Sequence, residues 1–402
     1  MAKNTMSGPR SSQPALPPSR LPQPHHLWHP PSNPTFPAQH FFGNVPLLIR
    51  ERDVLFSPPT MIWTRFQKIA LIAFITVEVL IFVGAVVRAT GSGLGCPDWP
   101  KCYGCWVPPT SANDIDFSKL KIEKFRAKAA AHGRDPATIT PETLKAEFDP
   151  VATWIEYVNR LTSMPVGAAM LWLLIASFGQ IRLHRQRVFW ASVASFILVL
   201  VNAWLGMRVV LSGLKPGIIT LHMALAILLQ CVLVYTAWRA NDRPWRLPWK
   251  LLPSSALRLL AWGLFSLIVI EGIMGSQVRE LTDHLAHSHA GHPRSEWVVE
   301  LEQSWVYLLH RSFSWLILFA GAAFLHLSRR HLTRAAWLEW SIFGLIFSQM
   351  ILGVVLAHVG IVGIAQVLHI GLSSLLVSAL FLWLLGSTGK VVSVSGALSP
   401  AR

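Results

Sequence analysis

Residues 66–88 read FQKIALIAFITVEVLIFVGAVVR, an apolar run closed by Gly84-Ala85-Val86-Val87-Arg88. A helix that crosses a bilayer needs roughly 20 predominantly apolar residues, and this run supplies them. Its closing residues return as Gly275-Ser276-Gln277-Val278-Arg279 at the end of a second such run. The stretch therefore decides two things together: the chain enters lipid, and it is built by repetition.

Outward from it, eight apolar runs cover about 66–88, 156–180, 188–211, 217–238, 256–277, 305–327, 337–357 and 363–385. The composition agrees, with 52% hydrophobic and 14% charged residues; soluble domains carry about a quarter charged residues. The formal charge of +15 would suggest nucleic acid in a soluble protein. Here the cations cluster between apolar runs, so membrane orientation accounts for them and no nucleic-acid partner is expected. Arg182, Arg185 and Arg187 follow the second run, Arg239, Arg243, Arg246 and Lys250 the fourth, and Arg329, Arg330 and Arg334 the sixth. Only Lys215 separates runs three and four, and no Lys or Arg separates seven and eight. This alternation predicts cytoplasmic termini, a cytoplasmic tail 389–402, and outward loops 89–153 and 280–304.

Residues 1–60 are rich in Pro, Ser and His without apolar period, and are expected to be a disordered extension. Within the long outer loop, Thr140-Pro141-Glu142 reads as a helix start. One or two short surface helices are expected over 117–147.

The repeat extends beyond its first mark. Val158-Asn159-Arg160-Leu161 matches Leu309-His310-Arg311-Ser312, and Gly206 precedes His222 by the same interval as Gly353 precedes His369. The predicted fold is an all-α integral membrane protein of eight transmembrane helices, arranged as two four-helix bundles: 61–240 and 241–388. Each half crosses an even number of times, so a pseudo-two-fold axis along the membrane normal should relate them.

His222, His310 and His369 begin helices at the outer face, while Asn159 holds the place that corresponds to His310. Imidazoles inside membrane helices are costly, which makes each a functional candidate. A hydrogen bond between helices is the plainer reading of a single His. Paired His on facing helices of a bundle is a common way to clamp a heme iron. Arg88, Arg160, Arg279 and Arg311 stand at the outer rim, suited to carboxylates such as heme propionates, or else to interfacial snorkelling. Glu156 shares a helix face with Asn159 and Arg160; it is a candidate proton donor or acceptor, or an ion-pair partner of Arg160. Glu271, inside the fifth run, is a weaker candidate of the same kind. Cys96, Cys102 and Cys105 lie in one outward loop, where a disulfide is expected but three thiols leave its pairing open. Cys231 reads as a small core residue, and His284, His287, His289 and His292 as a loop.

These motifs together resemble the heme A synthase family over about residues 62–388. The likeness rests on Arg88-Ala89-Thr90-Gly91-Ser92-Gly93-Leu94-Gly95 running into Cys96 and Cys102, on Glu156-Tyr157-Val158-Asn159-Arg160, and on the positions of His222, His310 and His369. The resemblance implies an oxidoreductase that converts heme O to heme A by oxidising the C8 methyl to a formyl group, for use by heme–copper oxidases. It implies that His310 and His369 ligate a resident heme b, with Arg279 and Arg311 beside it. It implies that the first half takes heme O as substrate near His222, Asn159, Arg88 and Arg160, with Glu156 as the essential acid. It also implies a Cys96–Cys102 pair serving heme transfer or redox chemistry. By the same likeness heme O synthase would be the donor, oxidase assembly factors would be partners, and a bacterial inner membrane would be the location. The electron donor and self-association stay open. Many members carry His where this chain has Asn159, which leaves His222 alone or an axial position open. A di-heme cytochrome b acting on a quinol is the second reading, and a transporter the third; Asn159 counts against the former.

Overall fold

The structure is a computed structural model, and it describes residues 63–131, 135–250, 254–289, 291–332 and 337–388. The extension 1–60 and the tail 389–402 lie outside the described residues. Helix α1 (Arg65–Ala89) is followed by the short α2 (Ile122–Ala131) and α3 (Pro141–Ala146), then by α4 (Pro150–Arg182), α5 (Gln186–Leu211) and α6 (Pro216–Arg239). The second half comprises α7 (Ser255–Ser288), a short α8 (Arg294–Gln303), α9 (Trp305–His331), α10 (Trp337–His358) and α11 (Gly363–Gly386). Eight of these, all but α2, α3 and α8, are long and apolar enough to cross a membrane.

Caps explain where several helices start. Thr64 and Gln67 cap α1 reciprocally, each side chain accepting from the other's backbone N–H at 3.1 Å. Such a box satisfies donors that the first helical turn leaves unpaired. Asp149 caps α4 by accepting from Val151 N at 2.8 Å, with Pro150 in the first turn. That cap starts α4 six residues before the apolar run, because a helix begins at its cap and not where hydrophobicity begins. Helix α7 likewise runs past its apolar stretch to Ser288. Much of the segment expected to be a loop, including His284, is therefore helical. The short helices expected in the outer loop are α2 and α3, and Thr140 caps α3 by accepting from Thr143 N at 3.3 Å.

The two halves pack by the same rule. In the first, α1 lies on α4, α4 on α5, α5 on α6 and α6 on α1; in the second, α7 lies on α9, α9 on α10, α10 on α11 and α11 on α7. The halves meet where α1 packs on α11, α6 on α7, and α6 on α11. Matching α1, α4, α5 and α6 with α7, α9, α10 and α11 carries one set of contacts onto the other. Each half is solid at the end remote from the outer loop. Ala70, Met170, Leu173 and Leu233 fill the first core, and Leu264, Phe324, Ile342 and Trp383 the second. Trp172, Phe178, Trp190, Phe319 and Phe347 are exposed on the outside, as a lipid-facing surface requires. At the seam, Phe82 of α1 lies over Gly371 of α11, where a Cβ would come within 2.3 Å of the ring. Glycine is needed there for the helices to approach.

Also at that seam, Glu78 of α1 accepts from Ser374 Oγ of α11 at 2.5 Å and from Gln230 Nε2 of α6. Gln230 in turn accepts from Ser378 Oγ at 2.7 Å. All four side chains are buried. A buried polar group without partners would be costly, and this network supplies them.

Candidate functional site

The solid cores leave the opposite ends of the helices to carry chemistry. Each candidate side chain there faces a glycine of a neighbouring helix. A Cβ built on Gly206 would lie 3.5 Å from His222 Cε1, one on Gly353 3.8 Å from His369 Cε1, and one on Gly275 3.2 Å from His310 Cε1. A Cβ on Gly84 would lie 3.9 Å from Asn159 Oδ1. The glycines and the residues they face are the repeat marks themselves, so the repetition is one of site and not only of span.

The two sites differ in their donors. The second half carries two imidazoles, His310 on α9 and His369 on α11, each against a glycine of a neighbouring helix. The first half offers His222, beside the backbone carbonyl of Asn202, and Asn159 in place of the second ring. Nδ1 of His222 and of His369 is buried without a hydrogen bond, and Nδ1 of His310 has none that is well aligned, its nearest acceptor being Glu271 Oε1 at 3.2 Å. Asn202 Oδ1 and Gln349 Nε2, one turn before Gly206 and Gly353, are likewise unsatisfied, as are both polar atoms of the Gln366 amide. Buried polar atoms normally have partners, so these groups are donors and acceptors left open to a bound molecule. Imidazoles flanked by glycine suit a planar porphyrin, whose iron needs only axial ligands from the protein. Among the described residues no three His, Cys, Asp or Glu side chains converge on one point.

The rim arginines have separate environments. Arg88 and Arg279 share one carboxylate, each placing Nη2 2.8 Å from Asp283. Arg311 is exposed and stacks over the Tyr307 ring, 6.0 Å from its centroid. Arg160 is committed to the outer loop. Its Nη1 donates to the Asp98 carbonyl at 2.8 Å and the Lys101 carbonyl at 3.0 Å, and its Nη2 to the Cys96 carbonyl at 2.7 Å.

Glu156 stands under the same loop. It is 2% exposed, is paired with Arg160 Nη2 at 2.5 Å, and accepts from Cys96 N at 2.7 Å. Cys96 is joined to Cys102 in a disulfide, with their Cα atoms 4.8 Å apart, while Cys105 and Cys231 are free thiols. Asp98 holds the ring of this loop from inside, accepting from Tyr103 N at 2.7 Å and Gly104 N at 2.8 Å. Burial, followed by the charge of Asp98, pushes the Tyr103 phenol up to about 12. Gly95 has no room for a side chain, since a Cβ would lie 2.3 Å from the Ala152 carbonyl oxygen. The loop is therefore pressed directly onto the start of α4.

Sequence reasoning missed Asp283 and Glu78. Glu78 had a signal, a lone acid inside an apolar run. Asp283 had none, because it stands in a segment with other acids. His289 and His292 pair with Glu300 at 3.2 Å and Glu296 at 2.8 Å and take no part in either site.

Fold and site together define an integral membrane protein of two like four-helix halves, each with an imidazole-bearing site at the same end. A model of the COX15-CtaA family, described as cytochrome oxidase assembly protein, matches residues 67–381, and the chain belongs to that family. It is similar to a heme A synthase of Alkalihalophilus pseudofirmus, 27% identical over 180 residues that cover 44% of this chain and 48% of the relative. It is also similar to a heme A synthase of Staphylococcus aureus strain JH9, 24% identical over 238 residues that cover 58% of this chain and 65% of the relative. The matched regions thus span about half to just under two thirds of these relatives.

Proposed function

We propose that this chain is a heme A synthase, an oxidoreductase that takes the C8 methyl of heme O to a formyl group. The observation that carries the proposal is the family match over residues 67–381, with relatives named heme A synthase; the unequal pair of sites bears on how the two halves divide the work. Two imidazoles, His310 and His369, suit a permanently bound heme b, whereas the first half, with His222 and with Asn159 at the place of His310, suits a substrate heme that must come and go. A di-heme cytochrome b would need two ligands in both halves, and Asn is a poor ligand for iron.

In this reading a heme held by His310 and His369 supplies electron transfer, and the chain's own residues do the rest. His222 and the gap beside Gly206 seat the substrate ring. Asp283 holds Arg88 and Arg279 where the two halves meet, and together with Arg311 they present cations to propionates. Glu156, one turn before Asn159, moves a proton as the methyl is oxidised. Arg160 fixes the carboxylate and the loop above it, so its part at the substrate is to position rather than to bind propionate. The Cys96–Cys102 disulfide belongs to the same lid over Glu156, which supports a part in heme handling.

Heme O synthase as donor and oxidase assembly factors as recipients follow from this activity. The bias of Lys and Arg supports an orientation with both termini cytoplasmic, and the bacterial source of the two relatives supports a bacterial cell membrane. The test is expression of the chain in cells that make heme O but no heme A, followed by heme extraction and chromatography. Appearance of heme A supports the proposal; heme O alone, with the chain present in the membrane, refutes it.

A further inference from the structure

Glu271 is a partly buried carboxyl on α7, its side chain 14% exposed, that the proposed reaction does not use. Its Oε1 lies 3.2 Å from His310 Nδ1 and accepts from Ser314 Oγ at 2.5 Å. The same hydroxyl lies 2.9 Å from the His310 backbone carbonyl, so its single proton is shared between the two acceptors and the group sits on the same turn of α9 as the ring. Gly275, one turn along α7 from Glu271, lies against Cε1 of the same imidazole. Helix α7 thus touches His310 at two points, with a carboxylate and with a glycine.

The arrangement belongs to one half only. Aligning Gly84 with Gly275 puts Leu80 at the place of Glu271, and aligning Asn159 with His310 puts Ser163 at the place of Ser314. Ser163 donates to the Arg160 carbonyl at 2.5 Å instead. The serine is common to both halves. The carboxylate occurs only where the imidazole pair occurs.

We propose that Glu271 is a positioning residue that holds His310 through Nδ1, so that Nε2 carries the lone pair offered to iron. The proposal rests on the reading of His310 as a heme ligand. A carboxylate on the remote N–H of a ligating imidazole fixes its tautomer and ring orientation and raises its basicity. A more basic ligand favours the oxidised metal, so the second-half heme is held at a lower potential than an unsupported imidazole would give. Ser314 moderates this by donating to the same oxygen that faces Nδ1.

The experiment uses the full chain purified with its heme, and reads the low-spin optical bands together with a redox titration. Glu271→Gln keeps the volume and a hydrogen-bonding amide but removes the charge. It should retain the heme and raise the midpoint by at least a tenfold change in the oxidised-to-reduced equilibrium, about 59 mV for one electron. Ser314→Ala frees the carboxylate oxygen for Nδ1 and should move the midpoint the opposite way. Opposite signs are not expected of two merely structural lesions. Should Glu271→Gln fail to assemble, Ser314→Ala alone decides: a lowered midpoint supports the proposal and an unchanged one overturns it. His310→Ala is the control. If it loses the low-spin bands while both other variants keep the wild-type midpoint, the ligand reading stands and the role of Glu271 falls. If His310→Ala keeps the bands, the ligand reading itself falls, and this proposal with it.

Discussion

Glu156 and Arg160 form an ion pair at 2.5 Å on successive turns of α4, and both are bonded to Cys96, the acid to its N–H and the base to its carbonyl. One cysteine of the disulfide is therefore held between the two charged members of the motif. Pairing with Arg160 is the structural duty of Glu156 and proton transfer the proposed one, and substitution separates them.

Glu156→Gln keeps an acceptor for Cys96 N but cannot exchange a proton. Heme A formation should fall by on the order of a hundredfold or more, while the protein keeps its second-half heme and its disulfide. Extracted heme from cells dependent on the variant is the measurement. Near-normal heme A at normal protein level would remove Glu156 from the chemistry and leave it the structural role alone.

Arg160→Lys keeps the charge but loses the planar fork that reaches three carbonyls of the loop. Hydrogen bonds to a charged donor contribute about 1.5–3 kcal/mol each, and Lys is not a substitute at a forked site. The loop should open locally, with faster proteolysis between residues 90 and 120 and an unchanged rate elsewhere. Cleavage at the wild-type rate would show that the disulfide holds the loop without help.

Asn159→His gives the first half the ligand pair of the second. Gly84 leaves its Cβ position 3.9 Å from Asn159 Oδ1, so the ring has space like that beside Gly275. A variant saturated with heme should show a second low-spin signal in its optical and electron paramagnetic spectra. An unaltered spectrum at full loading would mean that His222 and residue 159 do not face one iron.

Gly275→Ala and Gly353→Ala test the glycine contacts by degree. The new Cβ would lie 3.2 Å from His310 in the first and 3.8 Å from His369 in the second. The closer contact forces a shift, and the longer one is ordinary van der Waals distance. The heme spectrum should broaden or weaken in Gly275→Ala and stay close to wild type in Gly353→Ala. Equal effects would place the heme elsewhere.

Much of the architecture was legible because hydropathy and repetition are carried by consecutive residues. The eight spans and the His–Gly marks fall where the pattern placed them, and the marks prove to be contacts. Helix ends were less legible. The hydrophobic run in α4 starts late because Asp149 and Pro150 start the helix ahead of it, and α7 outlasts its apolar stretch by a polar segment. Least legible were the separate environments of the rim arginines. Arg160 is bound to backbone carbonyls of a folded loop, and carbonyl directions are not encoded in any residue type. Asp283 could not be assigned to Arg88 because nearly two hundred residues of chain separate them.

The knot of Glu78, Gln230, Ser374 and Ser378 has no echo under the repeat. The corresponding positions are Val269, Val377, Ile227 and Cys231, so the polar groups at the seam come from one register only. Two copies of the first half set against each other would press a carboxyl against Ile227, and two copies of the second would find no hydrogen bonds there at all. The polar bonds of the seam thus call for one first half and one second half. If the gene were cut after residue 240 and the pieces made separately, each would recognise the other in preference to itself, as a key is cut for one lock.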